Sequence, residues 1–342
     1  MEILNPYLPD IWLHLIGFFL LYYAVTDGAD LGVGIWALFS RQPEERRAMM
    51  TSIDSIWHGN QTWLVILGGM LFGAFPNFYA LLLSAIYIPI IVMLFGLILR
   101  GVSFEFHEHS DHKSLWCLIF GLGSLITTLA QGFALGGLLG GLTISEGRFA
   151  GSIWEWLSPY GAFIATGVVT GYLMLGANYL IARTTGPLQM KNYRRAMISG
   201  LVTLLVSIGV HVWTTTRYAQ MSQKWGTDAR WPLLLLAVGA AASFLLYFFA
   251  LKQRRQLAPL LLNGLIILLS FAGLSIGLYP QMIPGVITSA LTVREAAASD
   301  KTLSFMLVTT AILLPVILSY TFYNYWVFRG KTGQSYQAPD TD

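Results

Sequence analysis

Three aspartates lie inside stretches of the chain that are otherwise apolar enough to span a membrane. Asp27 and Asp30 fall in VTDGADLGVG, and Asp54 falls in SIDSIWHGNQTWLV, four residues before His58. An ionisable group placed in hydrocarbon costs about 2.5–3.5 kcal/mol on insertion scales and usually has a function. Spacings of three and four residues predict that each pair shares one face of a helix. Titratable groups aligned in this way indicate a proton path across part of the membrane.

The composition predicts an integral membrane protein. Of the 342 residues, 55% are hydrophobic and 11% are charged, and the mean hydropathy is +0.62, whereas soluble domains carry about 25% charged residues. We expect one polytopic all-α membrane domain over 1–342, with approximate halves 1–140 and 158–328 and a mobile tail at 332–342. The net charge of +3 comes from short loops and does not indicate nucleic-acid binding. The single Cys117 excludes an internal disulfide and is expected to be a small core residue.

Nine stretches reach the roughly 20 residues that a helix needs to cross the hydrocarbon core. The stretch at 50–74 is the least apolar, and its polar residues must face protein or water instead of lipid. The predicted spans are 10–38, 50–74, 77–100, 115–140, 158–182, 194–215, 231–251, 258–280 and 304–328.

The distribution of basic residues orients these spans. Fourteen of the 20 Lys and Arg fall on one side of the predicted membrane and six on the other. The positive-inside rule therefore places the N-terminus outside and the C-terminus in the cytoplasm, as an odd number of spans requires.

This orientation puts both titratable pairs in the cytoplasmic halves of their spans. The two spans are expected to be antiparallel neighbours, because only the short loop 39–49 joins them. The four side chains are predicted to converge in one pocket that opens toward the cytoplasm. Glu105, just past the inner end of the third span, would extend this pocket to water. The alternative is structural: a buried aspartate can hydrogen-bond the backbone or cap a helix broken at Asp27-Gly28.

Other chemistries have weaker signals. The chain lacks a P-loop, a dinucleotide fingerprint, a nucleophile elbow and the CxxC and HExxH metal motifs. His14 and His211 both fall in outer halves of spans, so a bis-histidine haem is conceivable. The histidines and acids at 107–112 could bind a metal adventitiously or form a solvated polar loop.

Seven motifs resemble subunit II of the cytochrome bd-type quinol oxidases, including the cyanide-insensitive branch. They occur in order from the first span to the last: TDGADLGVG (26–34), WHGNQTWLV (57–65), AFPNFYA (74–80), RGVSFEF (100–106), SPYG (158–161), LYPQMIP (278–284) and LPVILSYTFYNYWVFRGKT (314–332).

The resemblance implies nine helices, arranged as two four-helix bundles plus one peripheral helix. It implies a haem-free subunit, with no metal of its own, that pairs with a subunit I holding two b haems, haem d and the quinol site. The complex would oxidise ubiquinol or menaquinol on the outer side of the bacterial cytoplasmic (inner) membrane and reduce O2 to water in aerobic respiration. Protons would come from the cytoplasm, without pumping. A structural quinone in this chain and a small single-helix accessory subunit remain open, and membrane lipids are further partners.

The resemblance also assigns residues. Asp27 and Asp30 fall on the acids of the family's first-helix motif, and Arg100 and Glu105 fall on a basic–acidic pair at the end of the third span. His58 departs from the family, because some members have an acid on the proton route at this position. A histidine can relay protons near neutral pH, and Asp54 is the alternative relay.

Three further positions belong to the motif around the second span. Trp63 falls on the tryptophan that is linked to oxygen access, with an ordinary packing role as the alternative. Asn60 and Gln61 are expected to form a polar cluster with Arg100. The resulting interpretation is an assembly and proton-delivery subunit, with protons passing Glu105 and then the two titratable pairs toward the partner's haems.

Three rival interpretations remain at this point. Intramembrane acids and broken helices also suit a proton-coupled secondary transporter, although no internal repeat is evident. The chain could instead be a cytochrome with its own haem, or a scaffold for subunit I in which the acids only pack.

Overall fold

The structure is a computed structural model that describes residues 2–217, 223–283 and 291–332. After a 3-10 turn at Glu2–Tyr7 come the helices α1 Leu8–Phe39, α2 Pro43–Asp54, α3 Trp57–Ala74, α4 Pro76–His109, α5 Lys113–Leu139, α6 Pro159–Arg183, α7 Gly186–Arg217, α8 Arg230–Lys252, α9 Ala258–Leu278, α10 Val293–Ala296 and α11 Asp300–Val327. Two small antiparallel pairs join helices: β1 Ile144–Ser145 with β2 Arg148–Phe149, and β3 Gln281–Ile283 with β4 Leu291–Thr292. The predicted all-α membrane class is confirmed. Of the predicted tail, all but Thr332 lies outside the described residues.

The count of nine spans is not confirmed. Within the described ranges, eight helices are long and apolar enough to cross a membrane, namely α1, α4 to α9 and α11. The ninth predicted stretch, 50–74, is wrong as one helix, because the chain turns at Ser55 and Ile56 between α2 and α3. The 18 residues of α3 rise about 27 Å, close to the hydrocarbon thickness, but its first turns are polar.

The break has a local cause in the amphipathic sequence of α2. Met49, Met50 and Ile53 are buried, whereas Glu44, Arg47 and Asp54 of this helix are exposed. A helix with one charged face lies along a surface instead of crossing hydrocarbon. Asp54 and His58 therefore do not share a helix face, contrary to the prediction.

The third span also differs from expectation. Helix α4 continues beyond residue 100 to His109, so Glu105 lies on the helix and not past its end. The helix stays continuous because no Gly-Pro or turn signal interrupts RGVSFEFHEH before Ser110.

Helix α1 is the central element and packs against α3, α5 and α6. Its backbone touches that of α6: a Cβ added at Gly32 would lie 1.8 Å from the Tyr172 carbonyl oxygen, and one at Gly176 would lie 2.4 Å from the Gly32 carbonyl carbon. Small residues permit such an approach between helices in lipid. Helices α4 with α5, α6 with α7, and α8 with α9 form the other main pairs. Cys117 lies on α5 and is buried, as predicted.

A polar link ties α2 to α7. The Glu45 carboxylate accepts a hydrogen bond from Ser40 Oγ at 2.6 Å and forms an ion pair with Lys191. Burial alone would raise the pKa of Glu45, but the hydrogen bonds from Lys191 and Ser40 outweigh it, so the pKa lies below its ordinary value of 4.5. The link therefore holds the helix that carries Asp54.

Glu45→Gln should lower stability at neutral pH by about 0.2–1 kcal/mol, the usual range for an ion pair at the protein surface. A carboxyl whose pKa is lower in the folded than in the unfolded protein stabilises the fold above the unfolded pKa, and loses this effect as the pH falls through the folded value. The wild-type and variant unfolding temperatures should thus differ at pH 7 and converge at acidic pH, once the pH has fallen below the folded pKa of Glu45. An equal difference at both pH values would contradict the assignment to this ion pair.

Candidate proton-transfer site

A fully buried ion pair joins α1 to α4. Arg100 Nη2 lies 2.6 Å from Asp27 Oδ1, and both side chains are 0% exposed. The same nitrogen lies 3.5 Å from Gln61 Oε1 on α3. Of the residues expected to form a polar cluster with Arg100, Gln61 contacts it, whereas Asn60 is bonded to Asp30 and Tyr325. The expected pairing of Arg100 with Glu105 is not formed, because the guanidinium points inward to Asp27 while Glu105 is exposed.

The second buried acid is held by a polar chain across three helices. Asn60 Nδ2 donates to Asp30 Oδ2 at 2.8 Å, and Tyr325 OH donates to Asn60 Oδ1 at 2.8 Å. This chain connects α1, α3 and α11. Asp30 lies three residues from Asp27 on the same face of α1, and Arg100 pairs with Asp27, so the two acids and one cation form a single charged unit.

Each member of this charged unit has at least one buried polar atom that forms no hydrogen bond with the described residues. Asp27 Oδ2, Asp30 Oδ1 and the Nε and Nη1 atoms of Arg100 are buried and have no hydrogen-bond partner among the described residues. Buried polar atoms are nearly always satisfied by protein or water. The site therefore has acceptor and donor positions to spare where protons could be taken up or passed on.

A further polar chain leads from the same unit toward α5 and α6. Tyr172 OH donates to Gln131 Oε1 at 3.0 Å, and Gln131 Nε2 donates to Tyr23 OH at 2.6 Å. Tyr23 is 3% exposed and interacts electrostatically with Asp27. The sequence reasoning missed these residues, although a single glutamine in the apolar run of α5 is the signal that could have pointed to them.

The remaining predicted acids and histidine form a separate surface group. Asp54 at the end of α2, His58 on α3 and Glu105 on α4 are all exposed in this chain. Partial burial and then the charges of Glu108 and Glu105 raise the pKa of Asp54, while His58 and His107 oppose this shift. The structure thus brings the predicted residues together as two sets, one buried and one exposed, and not as one pocket.

Trp63 is fully enclosed in an aromatic cluster. Its indole is 0% exposed, and its ring centroid lies 4.2 Å from that of Tyr22 and 6.1 Å from those of Phe18 and Phe19. The cluster joins α3 to α1 at residues of α1 that lie N-terminal to the buried acids. It contributes apolar surface and no titratable group that is charged at neutral pH.

The histidines do not assemble into a ligand set. None of the six is buried: His14, His58, His109, His112 and His211 are exposed, and His107 is partly exposed. Helix α6 packs against both α1 and α7, the helices of His14 and His211. In the described part of the chain, no group of three or more His, Cys, Asp or Glu side chains could hold a metal ion.

Comparison with known proteins agrees with this architecture. The family described as "Cytochrome bd terminal oxidase subunit II" matches residues 8–328. The chain is 30% identical over 356 residues to "Cytochrome bd-I ubiquinol oxidase subunit 2" of Escherichia coli (strain K12), covering 94% of each. It is 28% identical over 344 residues to "Cytochrome bd ubiquinol oxidase subunit 2" of Bacillus subtilis (strain 168), covering 98% of this chain and 99% of the relative.

A solved structure supports the fold. A chain of the bd oxidase from Geobacillus thermodenitrificans superimposes with a TM-score of 0.78 at 18% identity, covering 94% of this chain and 98% of that one. At this identity the similarity concerns the fold alone. The sequence matches carry the assignment: the chain belongs to the family of cytochrome bd terminal oxidase subunit II and is a multi-span subunit of an oxidoreductase complex in the bacterial cytoplasmic membrane.

Proposed function

We propose that this chain delivers protons from the cytoplasmic side of the membrane to a haem-bearing subunit I, which reduces oxygen with electrons from quinol. The observation that carries the proposal is the pair of fully buried acids, Asp27 and Asp30, of which Asp27 is paired with Arg100. A buried ionisable group inside a membrane is a functional site by default, and carboxyl groups are the usual members of intramembrane proton relays.

The charge balance of the buried unit suits proton transfer. One guanidinium neutralises one carboxylate, and the carboxylate in direct contact with the guanidinium is that of Asp27. A second ionised carboxylate beside the first is opposed by burial and by like charge. Asp30 is then the group that holds a proton at rest and releases it when the local charge changes.

The exposed group supplies the access side of this route. Asp54, His58 and Glu105 combine two carboxyls with an imidazole, and Asp54 interacts electrostatically with the other two. Protons taken up there would pass to Asp30 and Asp27, and from these toward the partner. This order agrees with the cytoplasmic orientation that the loop charges predict.

The exposed face of α3 favours a protein partner. His58, Thr62, Val65 and Phe72 are exposed, and their spacing of three, four and seven residues places them on one side of the helix. Polar side chains in a spanning segment face protein or water and not lipid. Subunit I would cover this face and thereby enclose the exposed titratable group.

Haem chemistry is assigned to the partner. His14 and His211, the axial ligands that a haem in this chain would need, are exposed on α1 and α7, and α6 packs against both helices, which favours a haem-free chain. Trp63 and its aromatic cluster offer an apolar route for O2, a molecule that partitions into the bilayer. In this proposal, quinol and O2 are substrates of the complex and not of this chain alone.

The route is tested with Asp54→Asn in the purified complex. We expect oxygen consumption with excess quinol to fall on the order of tenfold, because an amide cannot exchange the proton that a carboxyl transfers. Quinol binding and the haem spectrum of the co-purified partner should stay unchanged. Asp111→Asn, an exposed acid in the neighbouring loop, is the matched control and should keep wild-type turnover.

Two results would count against the proposal. Wild-type oxygen consumption in Asp54→Asn would remove this residue from the route. A chain that purifies colourless, monodisperse and without a haem-bearing partner would favour the proton-coupled transporter instead.

A further inference from the structure

One aromatic side chain, Trp57, contacts both His58 of the exposed group and the neighbourhood of the buried Arg100. Trp57, the first residue of α3, is 7% exposed. On the exposed side it stacks on His58, with ring centroids 3.6 Å apart and an interplanar angle of 27°. On the buried side it stacks on Phe104, with centroids 5.0 Å apart and an angle of 11°.

The indole also lies against the part of α4 that carries the arginine. The Arg100 Cζ atom is 5.9 Å from the centroid of the Trp57 ring. A Cβ added at Gly101 would lie 3.3 Å from Trp57 Cη2. Because α4 has no side chain at this position, the ring can lie close to the helix backbone and cover the approach to Arg100 and its partner Asp27.

This position matters because an indole is a poor proton carrier. Its single N–H is a donor without an acceptor, and its carbon atoms offer no lone pair. A proton that enters from Asp54 or His58 must therefore pass the edge of the Trp57 ring and cannot cross its face. The ring also excludes bulk water from the Arg100–Asp27 pair, where a charge interaction is stronger in a dry environment.

We propose that Trp57 is a positioning residue that shields the buried acids from water and holds the His58 imidazole at the edge where protons pass inward. The inference rests on the proposed proton-delivery function. While the Trp57 indole is present, every proton that moves inward must pass through His58, the last exposed residue of the route. Without the indole, the space beside a charged pair is polar enough for water to enter, and water can replace His58 as the relay.

A double-mutant cycle in the assembled oxidase tests this coupling. His58→Phe keeps a ring to stack on Trp57 but removes both nitrogens. In the wild-type background it should lower oxygen consumption on the order of tenfold. In the Trp57→Ala background the same change should alter turnover by no more than about twofold, because the two substitutions then act on one step.

Matched variants separate shielding from loss of packing. Trp57→Phe keeps a stacked ring, so the large effect of His58→Phe should return. Trp116→Ala removes the other tryptophan that stacks on α4, with its ring 4.8 Å from that of Phe106, and should leave the His58→Phe effect at full size. If the Trp57→Ala complex does not assemble, Trp57→Leu keeps apolar volume without a flat ring and should likewise reduce the His58→Phe effect.

The outcomes distinguish this inference from the function on which it rests. An equal fold-loss from His58→Phe with and without the Trp57 indole would overturn the role of Trp57. If Asp54→Asn loses turnover but His58→Phe keeps wild-type turnover, the role of Trp57 is also overturned, whereas the proton-delivery function stands. Wild-type turnover in both of those variants would instead overturn proton delivery itself.

Discussion

Replacing Arg100 with methionine should lower the stability of the protein by about 3–5 kcal/mol, the usual cost of removing one partner of a buried ion pair. Methionine has a similar length and suits the apolar surroundings, so the loss of side-chain volume is not the main cause of the lower stability. The cost arises because Asp27, which is 0% exposed, would keep a charge without its counter-ion. We expect lower yields of assembled complex and a lower unfolding temperature.

A second variant shows whether charge or packing is responsible. Asp27→Leu combined with Arg100→Met removes both charges and leaves apolar side chains of similar size. Replacing a whole buried pair in this way is often neutral, so the double variant should regain most of the stability that Arg100→Met loses. If the double variant is as unstable as the single one, the ion pair is not what Arg100 contributes to the fold.

Asp30→Asn is expected to have the largest effect on activity. The amide oxygen can still accept the hydrogen bond that Asn60 Nδ2 donates to Asp30 at 2.8 Å, so the contact between α1 and α3 should persist. The variant, however, cannot bind and release a proton. Removing a positioned proton carrier typically costs on the order of 10² to 10⁴ in rate, and oxygen consumption should fall accordingly while quinol binding is unchanged.

The measurement is turnover per haem-bearing complex, with subunit content checked in parallel. Asp10→Asn is the matched control, because Asp10 lies in the first turn of the same helix and accepts a hydrogen bond from Tyr279 OH at 3.2 Å. It should behave as wild type. Full turnover in Asp30→Asn, with normal haem content, would show that the buried acid is structural, as the scaffold interpretation holds.

Local signals in the sequence predicted most of the fold. Hydropathy located the long helices because crossing hydrocarbon imposes a length and a composition that are visible in a short window. The same window merged 50–74 into one helix, since it averages over the turn at Ser55 and Ile56 and does not register the amphipathic pattern of α2. The end of the third span was placed too early for a related reason: charged residues lower hydropathy without ending a helix.

Pairings at the site could not be predicted in the same way. Asn60 meets Tyr325 although 265 positions separate them, and Arg100 meets Asp27 across 73 positions. Glu105, only five residues from Arg100 and of opposite charge, was the more obvious partner in the sequence. Which acid an arginine reaches depends on the rotation of α4 against α1, and no local pattern specifies this angle.

The sequence by itself determined that the chain spans a membrane, which family it resembles and which acids are out of place in hydrocarbon. The first and last follow from the cost of moving a residue into lipid, and the resemblance follows from short motifs, so each is a property of residues and their near neighbours. Only the tertiary structure decided that the acids form two sets, that Arg100 pairs with Asp27, and that Trp57 contacts both His58 and the neighbourhood of Arg100. These features depend on how helices pack, because a charge or ring acts on whatever side chain the neighbouring helix brings within a few ångströms.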